Sequence, residues 1–367
     1  MAPLTALVAR AVASGARRLA GSPWLRPLND PDAIDDLLGL VDPLWSVARV
    51  RARVVRVADE TADVRTFVLR PNARWRGFAA GQHVRVDVEV DGVIHQRAYS
   101  ISSAPGDRGT IAITVKRQPG GRVSNFLHDR VRPGAVLGLG QAAGRFVLPD
   151  PVPPRLVLLS AGSGITPIMS IVRHLHARAA ATDVLLVHAC RDAGDAIFGA
   201  ELRARARVWP ALRVHFAYSA ETGRLDRTRL RRLVPDCAAR DGFVCGPDGF
   251  MRLVRETWRE AGCEGRLRFE SFGGPPVALP ARGSAAVSCA RSGVVFRAAS
   301  GRPLLAEAER AGLRPRFGCR MGICHTCVVR KLAGTVENLA TGAVTSAPDE
   351  TIQLCVSAAR SDVTLAL

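Results

Sequence analysis

Cys319, Cys324 and Cys327 stand in a C-x4-C-x2-C spacing within the run from Arg316 to Cys327, and Cys355 follows in Thr-Ile-Gln-Leu-Cys. This is the plant-type spacing for a [2Fe–2S] cluster. Each iron takes two thiolates, so four cysteines complete the site, three from one tight loop and one from a distant segment. Gly318 and Gly322 let backbone N–H groups turn toward sulfur in conformations that a Cβ resists. Zinc is the main rival, but structural zinc sites mostly use C-x2-C or Cys/His pairs, and the x4 gap does not suit them. Disulfides or a plain group of buried thiols would also account for clustered cysteines. The spacing together with the downstream cysteine favours the cluster. His325 is surplus to a completed thiolate set and reads as a surface residue or a support for a ligand. Cys190, Cys237, Cys263 and Cys289 match no ligand spacing and read as core or surface residues.

A chain of 367 residues has room for two or three domains with substantial cores. Nine cysteines are too few for a disulfide scaffold at this length, and a thiolate cluster favours a reducing compartment, so a cytoplasmic protein is expected. The formal net charge of +18 would ordinarily raise nucleic acid as a partner. The cations are almost all arginine, with lysine only at 116 and 331, and they are spread through every segment. With 5% aromatic residues there are few platforms for stacking bases, so nucleic acid is set aside. A salt-sensitive attraction to an acidic partner or anionic lipid remains. No apolar run reaches the length of about eighteen residues that spans a bilayer. Met1 to Trp24 is apolar with Arg10, Arg17 and Arg18 and no acid, so it imitates a targeting peptide; the preferred reading is an amphipathic arm that packs on the body or touches a membrane.

Four segments follow from patterning, expected at 1–46, 47–150, 155–272 and 280–367. Asn29-Asp30-Pro31 starts a helix that runs to Leu40 and is ended by Asp42-Pro43. From Val47 to Leu148 short alternating strands, such as Val84, Val86, Val88 and Val90 with Asp91-Gly92 as a hairpin turn, predict a small antiparallel β-barrel. Beyond the proline-rich 149–154 linker the texture becomes α/β with a parallel sheet. Its strands are expected at Leu156–Leu159, Val184–His188, Val214–Ala217 and Gly242–Cys245, its helices at Pro167–Ala179, Ala200–Arg207, Arg227–Leu233 and Asp248–Glu260. A second linker, Gly273-Gly274-Pro275-Pro276, precedes the cysteine-bearing part, where a hairpin around Ser292-Gly293 and a helix after Pro303 are expected.

Motifs at the ends of these elements suit anionic cofactors. In Arg97-Ala98-Tyr99-Ser100 an arginine can pair with a diphosphate, an aromatic shares its strand face, and a hydroxyl can reach a ring nitrogen. Gly120-Gly121-Arg122-Val123-Ser124-Asn125 precedes a short helix expected at Phe126–Arg130, whose N-terminus would cradle a diphosphate. Gly162 and Gly164, in Ser-Ala-Gly-Ser-Gly-Ile-Thr-Pro, let the backbone approach a phosphate between strand and helix, though this is half a dinucleotide fingerprint and structural glycines are an even alternative. Cys245-Gly246-Pro247 lies at the carboxyl end of a later strand, where open α/β sheets bind ligands.

Taken in register, Arg97-x-Tyr99-Ser100, Gly162-x-Gly164-x-Thr166-Pro167, Cys245-Gly246-Pro247 and the closing four cysteines resemble the ferredoxin-NADP reductase family in its fused flavin–nicotinamide–ferredoxin form, from about Val47 onward. The resemblance implies a multidomain fold: an antiparallel β-barrel for the flavin, a parallel-sheet α/β domain for the nicotinamide and an α+β ferredoxin domain of the β-grasp type. It implies that Arg97 binds flavin phosphates, Tyr99 stacks on the isoalloxazine and Ser100 approaches N5, with Gly121, Ser124 and Asn125 on the diphosphate. Gly162, Gly164 and Thr166 would take the nucleotide phosphates, Cys245 and Gly246 would lie near the nicotinamide, and Phe272 would cover the other flavin face, with Phe269 competing for that role. The helix start at Ser124-Asn125 favours FAD over FMN. Arg191, just past the second α/β strand, with help from Arg224, favours the 2′-phosphate of NADPH, whereas Asp192 beside it leaves NADH open.

Residues 27–46, from Pro-Leu to Asp-Pro-Leu-Trp-Ser, are similar to the leader of actinobacterial reductases that serve membrane acyl-CoA desaturases. The expected function is therefore a two-to-one electron converter that oxidises NADPH and passes single electrons through FAD and a [2Fe–2S] cluster to a desaturase. The competing acceptors are an aromatic-ring or alkane oxygenase and another electron carrier. Arg316 and Arg320 are expected to raise the cluster potential and to meet an acidic partner. The oligomeric state is left open.

Overall fold

A computed structural model describes residues 31–90, 93–106, 109–270, 283–318, 320, 322, 326–339 and 342–367. Met1 to Trp24, the Asp91-Gly92 turn, the 273–276 linker, Phe272, Cys319, Cys324 and His325 lie outside these residues. The described residues fall into two compact units, one within 1–94 and 99–270, the other within 95–98 and 271–367.

Helix α1 (Pro31–Val41) precedes six antiparallel strands, which belong to the first unit apart from residues 95–98: β1 (Val50–Thr61), β2 (Val64–Pro71), β3 (His83–Val90), β4 (Val93–Ser100), β5 (Ile111–Lys116) and β6 (Val136–Leu139). Their order is β4-β3-β6-β1-β2-β5, and an antiparallel bridge from Ile101 to Ile113 brings the end of β4 onto β5, so the sheet closes on itself. Alternation produces this directly: Val50, Ala52 and Val54 point into a core with Phe67, Leu69 and Val84, while the intervening arginines face outward. Helix α2 spans Arg122–Arg130. It begins earlier than the Phe126 expected from sequence: the chain already turns helical at Arg122, after a glycine N-cap that carries no capping side chain to mark the start. Ser124 and Asn125 thus lie inside the first turns and not ahead of them.

The α/β part carries β7 (Arg155–Ala161), α3 (Ile165–Ala177), β8 (Asp183–Cys190), α4 (Gly199–Val208), β9 (Leu212–Tyr218), α5 (Ser219–Thr222), α6 (Arg227–Leu233), β10 (Asp241–Cys245), α7 (Asp248–Glu260) and β11 (Leu267–Glu270). The strands are parallel in the order β11-β10-β7-β8-β9. The order reverses between β7 and β10, and the crevice at their carboxyl ends is where such a sheet binds ligands. Leu156 to Leu159 are fully buried, as a central parallel strand requires. β11 was not expected from the sequence.

The second unit has a five-stranded sheet in the order β13-β12-β19-β14-β17, formed by Val295–Ala299, Ser284–Cys289, Val363–Leu365, Val328–Ala333 and Glu350–Gln353. A smaller sheet orders β16 (Val344–Thr345), β15 (Val336–Asn338) and β18 (Ser357–Ala359). Helix α8 (Leu304–Arg310) buries Leu304, Leu305 and Ala308 in one core with Val287, Cys327 and Cys355. β12 runs parallel to β19 while β14 runs antiparallel to it, the mixed pattern that two hairpins joined by a helix produce.

Candidate functional site

The loop after β7 folds as a short 3-10 turn, Gly162–Gly164, leading into α3. Gly162 has φ +53, a left-handed conformation that suits glycine. Gly164 is required by approach: a Cβ there would lie 2.2 Å from the Cys245 carbonyl oxygen. Gly246 is also close-packed, though less so, since a Cβ would meet Phe250 Cδ1 at 2.9 Å and the Ala161 Cβ at 3.0 Å. The two motifs that sequence placed apart are therefore packed against each other, with the space beside Gly164 and Gly246 filled by the chain itself, whereas nothing lies within 4 Å of the place a Cβ would take at Gly162. Thr166 is buried and its hydroxyl donates to the Ser163 carbonyl at 3.0 Å, bracing the turn.

Ser100, at the end of β4, is 3% exposed and its hydroxyl donates to Glu270 Oε2 at 3.2 Å. Glu270 ends β11 and is in register with Cys245 on β10. The other Glu270 oxygen, Oε1, lies 3.5 Å from His83 Nδ1, with both side chains 9% exposed. His83 Nδ1 makes no hydrogen bond among the described residues. One carboxylate thus accepts from a serine and lies near a histidine, next to a buried thiol. Burial, and then the charge of Glu270, push the Cys245 thiol well above its ordinary range, so it stays protonated and neutral. Such a set can orient a planar ring, exclude water and hold or move a proton at Ser100 Oγ.

Helix α3 fixes this set in place. Ser170 donates its hydroxyl to the Ser103 carbonyl at 2.7 Å, and Arg173 Nη1 donates to the Ser102 carbonyl at 2.7 Å. The same helix that starts at the glycine turn therefore grips the chain just past Ser100. Sequence reasoning missed Glu270, His83, Ser170 and Arg173. An acid closing the Leu-Arg-Phe-Glu segment was the only local signal for the first.

Of the remaining expected residues, Tyr99 packs half-buried against the barrel core. Arg97 Nη1 donates to its neighbour's carbonyl, that of Gln96, at 2.7 Å. Ser124 accepts from the Gln118 amide at 3.2 Å, and Asn125 accepts from Arg117 at 3.4 Å, so both are engaged by the loop that leads into α2. Arg191 is 71% exposed along its side chain and lies between Asp192 at 3.5 Å and Asp195 at 3.7 Å. Arg224 is exposed with no partner among the described residues.

In the second unit Cys327 and Cys355 are buried together. The Gly322 amide donates to Cys355 Sγ at 3.2 Å, and Gly322 has φ +75 with the Val356 side chain in the place a Cβ would take. An N–H aimed at sulfur stabilises a thiolate, and only a residue without Cβ fits there, so this donor set suits an iron–sulfur cluster. Arg320 is less free than its position implies: it forks onto Glu309 at 2.8 and 2.6 Å and stacks over Phe317 at 3.8 Å. Its charge is largely answered within the unit.

On the face of β7 and β8 that carries Ser160, His188 is fully buried and Ser160 Oγ lies 2.9 Å from its Nδ1. Burial pushes His188 down to about 4 from 6.5. Its folded value is depressed, so the stability it contributes is present above the unfolded value and is lost as pH falls toward 4. Lowering the pH from 7 to 4.5 should cost on the order of 2–3 kcal/mol through this group. Urea unfolding of wild type and His188→Gln at the two pH values checks this, with the variant showing the shallower dependence.

A closed antiparallel sheet joined to a parallel sheet with a glycine turn at its switch point, followed by a unit built around cysteines, defines a flavin- and nicotinamide-dependent oxidoreductase with an iron–sulfur module. Residues 51–147 match the oxidoreductase FAD-binding domain, 158–256 the oxidoreductase NAD-binding domain and 287–360 the 2Fe-2S iron-sulfur cluster binding domain. The chain belongs to the oxidoreductase family that combines these three domains in this order. It is 40% identical to an NADPH oxidoreductase of Mycobacterium tuberculosis across 97% of this chain and 95% of that one. It is 32% identical to the glycine betaine monooxygenase reductase subunit of Chromohalobacter salexigens across 88% of this chain and 96% of that one. Among solved structures, phthalate dioxygenase reductase superposes with a TM-score of 0.60 at 25% identity, over 87% of this chain and 98% of that one. The cofactors are accordingly FAD, a nicotinamide dinucleotide and a [2Fe–2S] cluster.

Proposed function

We propose that the protein oxidises NADPH and delivers single electrons to a membrane acyl-CoA or fatty-acid desaturase. The flavin, when bound, supplies the exchange between hydride and single electrons, and the cluster carries one electron at a time. Ser100, Cys245 and Glu270 would line the place where nicotinamide and flavin meet, with Phe272 as the covering aromatic. Arg97, Tyr99, Gly121, Ser124 and Asn125 would hold the flavin nucleotide. Gly162, Gly164, Thr166 and Gly246 would hold the nicotinamide nucleotide. Cys319, Cys324, Cys327 and Cys355 would ligate the cluster. The observation that carries this reading is the Glu270 carboxylate, bonded to Ser100 and near His83 beside Cys245 at the switch point, in a chain whose C-terminal part carries the cluster domain.

A membrane acceptor is supported by α1. Leu37, Leu40 and Val41 lie on one helical stripe and are 67, 85 and 73% exposed, with Trp45 beyond them at 38%. Asp35, buried and bonded to the Val47 amide at 2.6 Å, pins the helix so that this stripe faces out. A cytoplasmic protein that touches the bilayer peripherally accounts for it; no described helix is long and apolar enough to cross a membrane. The second reading, a reductase for an oxygenase, is favoured by the relatives that are reductase subunits of glycine betaine monooxygenase and phthalate dioxygenase. Reconstitution with desaturase-bearing membranes and with soluble oxygenase components separates the two: NADPH-driven double-bond formation in the first supports the proposal, and turnover only in the second overturns it.

Arg191 and Arg224 would carry the preference for NADPH. The double variant Arg191→Ala/Arg224→Ala should lose about tenfold in kcat/KM for NADPH and stay within about twofold for NADH, read by steady-state ferricyanide reduction.

A further inference from the structure

The arginines of the C-terminal unit are mostly satisfied from within it. Arg310 pairs with Glu307, Arg320 with Glu309, Arg330 with Asp349 and Arg360 with Glu337. Arg297 donates to the Ser284 hydroxyl at 2.9 Å. Arg314 and Arg316 differ: both are exposed, and neither has a partner among the described residues. Phe317, which follows them, is 45% exposed. One face of its ring carries the Arg320 guanidinium, which the Glu309 fork holds in place, so the ring is braced and not loose. An aromatic kept on the surface by an ion pair, flanked by two unanswered cations, lies two residues ahead of the first cysteine of the cluster loop.

We propose that Phe317, Arg314 and Arg316 form the docking face for the electron acceptor, and that this acceptor is a protein presenting carboxylates around an apolar spot. The inference rests on the reading that electrons leave through the cluster. Charge complementarity selects the partner. Desolvating two free guanidinium groups against an apolar or basic surface is costly, whereas carboxylates answer them and steer the encounter. The aromatic supplies the apolar centre of the contact, the usual position of such anchors. Arg320 contributes by positioning the ring, since its own charge is spent on Glu309. This divides the roles of Arg316 and Arg320, which adjacency in sequence would make equivalent.

The test uses the full holoenzyme, with acidic cytochrome b5 and basic cytochrome c as one-electron probes and ferricyanide as a small acceptor. Wild type should reduce cytochrome b5 faster than cytochrome c at low ionic strength, with a rate that falls as salt rises. Arg314→Glu/Arg316→Glu should slow cytochrome b5 reduction about tenfold or more and flatten its salt dependence, with flavin bleaching by NADPH and ferricyanide reduction unchanged. Phe317→Ala should slow it while leaving the salt dependence in place. Arg291→Glu, an exposed arginine in the β12–β13 turn without a partner among the described residues, should leave every rate as in wild type. Equal or faster reduction of cytochrome c by wild type overturns the charge assignment. A wild-type rate in Arg314→Glu/Arg316→Glu, when Cys355→Ser has lost cytochrome reduction, overturns the docking face alone. Cytochrome reduction at the wild-type rate in Cys355→Ser overturns the exit through the cluster and the docking face with it.

Discussion

Cys355→Ser should yield a yellow protein that bleaches with NADPH and reduces ferricyanide, yet has lost its iron and reduces protein acceptors on the order of a hundredfold more slowly. Cys355 is 2% exposed, in one core with Cys327, and receives the Gly322 amide. The serine hydroxyl is far less acidic than a thiol, so it supplies an anionic donor to iron much less readily than cysteine does. The substitution also removes an N–H to sulfur bond and puts a hydroxyl in an apolar core, at a cost of about 1–2 kcal/mol in stability. A loss of fold has to be separated from a loss of ligand. Cys289→Ser provides the comparison: Cys289 is also 2% exposed in the same core, but lies outside the ligand pattern. It should show the stability loss with iron retained. Iron and acid-labile sulfide assays on the two variants, with thermal unfolding alongside, read both effects.

Glu270→Gln should slow flavin bleaching by NADPH on the order of a hundredfold in a stopped-flow experiment, with nucleotide affinity nearly unchanged. The amide keeps the shape of the carboxylate but removes the negative charge that accepts from Ser100 and lies 3.5 Å from His83. Ser100→Ala removes the hydroxyl that meets this carboxylate and should have a comparable effect. The two groups act as one unit, so the double variant should be little slower than either single one, a coupling that independent roles would not produce. His83→Ala should be milder, since it leaves the bond between Ser100 and Glu270 in place. A double variant whose losses simply multiply would show that serine and glutamate work separately.

Most of the architecture was written in local patterns. Alternation of valines with charged residues gave the barrel strands, and the unbroken Leu156 to Leu159 run gave the central parallel strand, because those patterns follow from how many faces of a strand are buried. The helix Asp248–Glu260 was legible to the residue, with Pro247 at its start and Gly262 past its end. The start of α2 was not legible, since Gly121 gives no capping signal. β11 was missed because four residues carry too little periodicity to separate strand from loop. That omission hid Glu270. Its role arises only from the parallel register of β10 with β11 and from the return of the chain at Ser100, a relation between residues 170 positions apart. Equally, the engagement of Arg320 by Glu309 depends on α8 packing beside the cluster loop, which adjacency in sequence does not reveal.

We propose that reducing equivalents enter beside Ser100, Glu270 and Cys245 and reach the cysteines of the C-terminal unit. Electron paramagnetic resonance of anaerobic holoprotein after addition of NADPH tests it most directly. The predicted result is a rhombic signal whose integrated intensity follows the iron content, together with bleaching of the flavin band. Bleaching without that signal, or protein that holds flavin but neither iron nor labile sulfide, would contradict it.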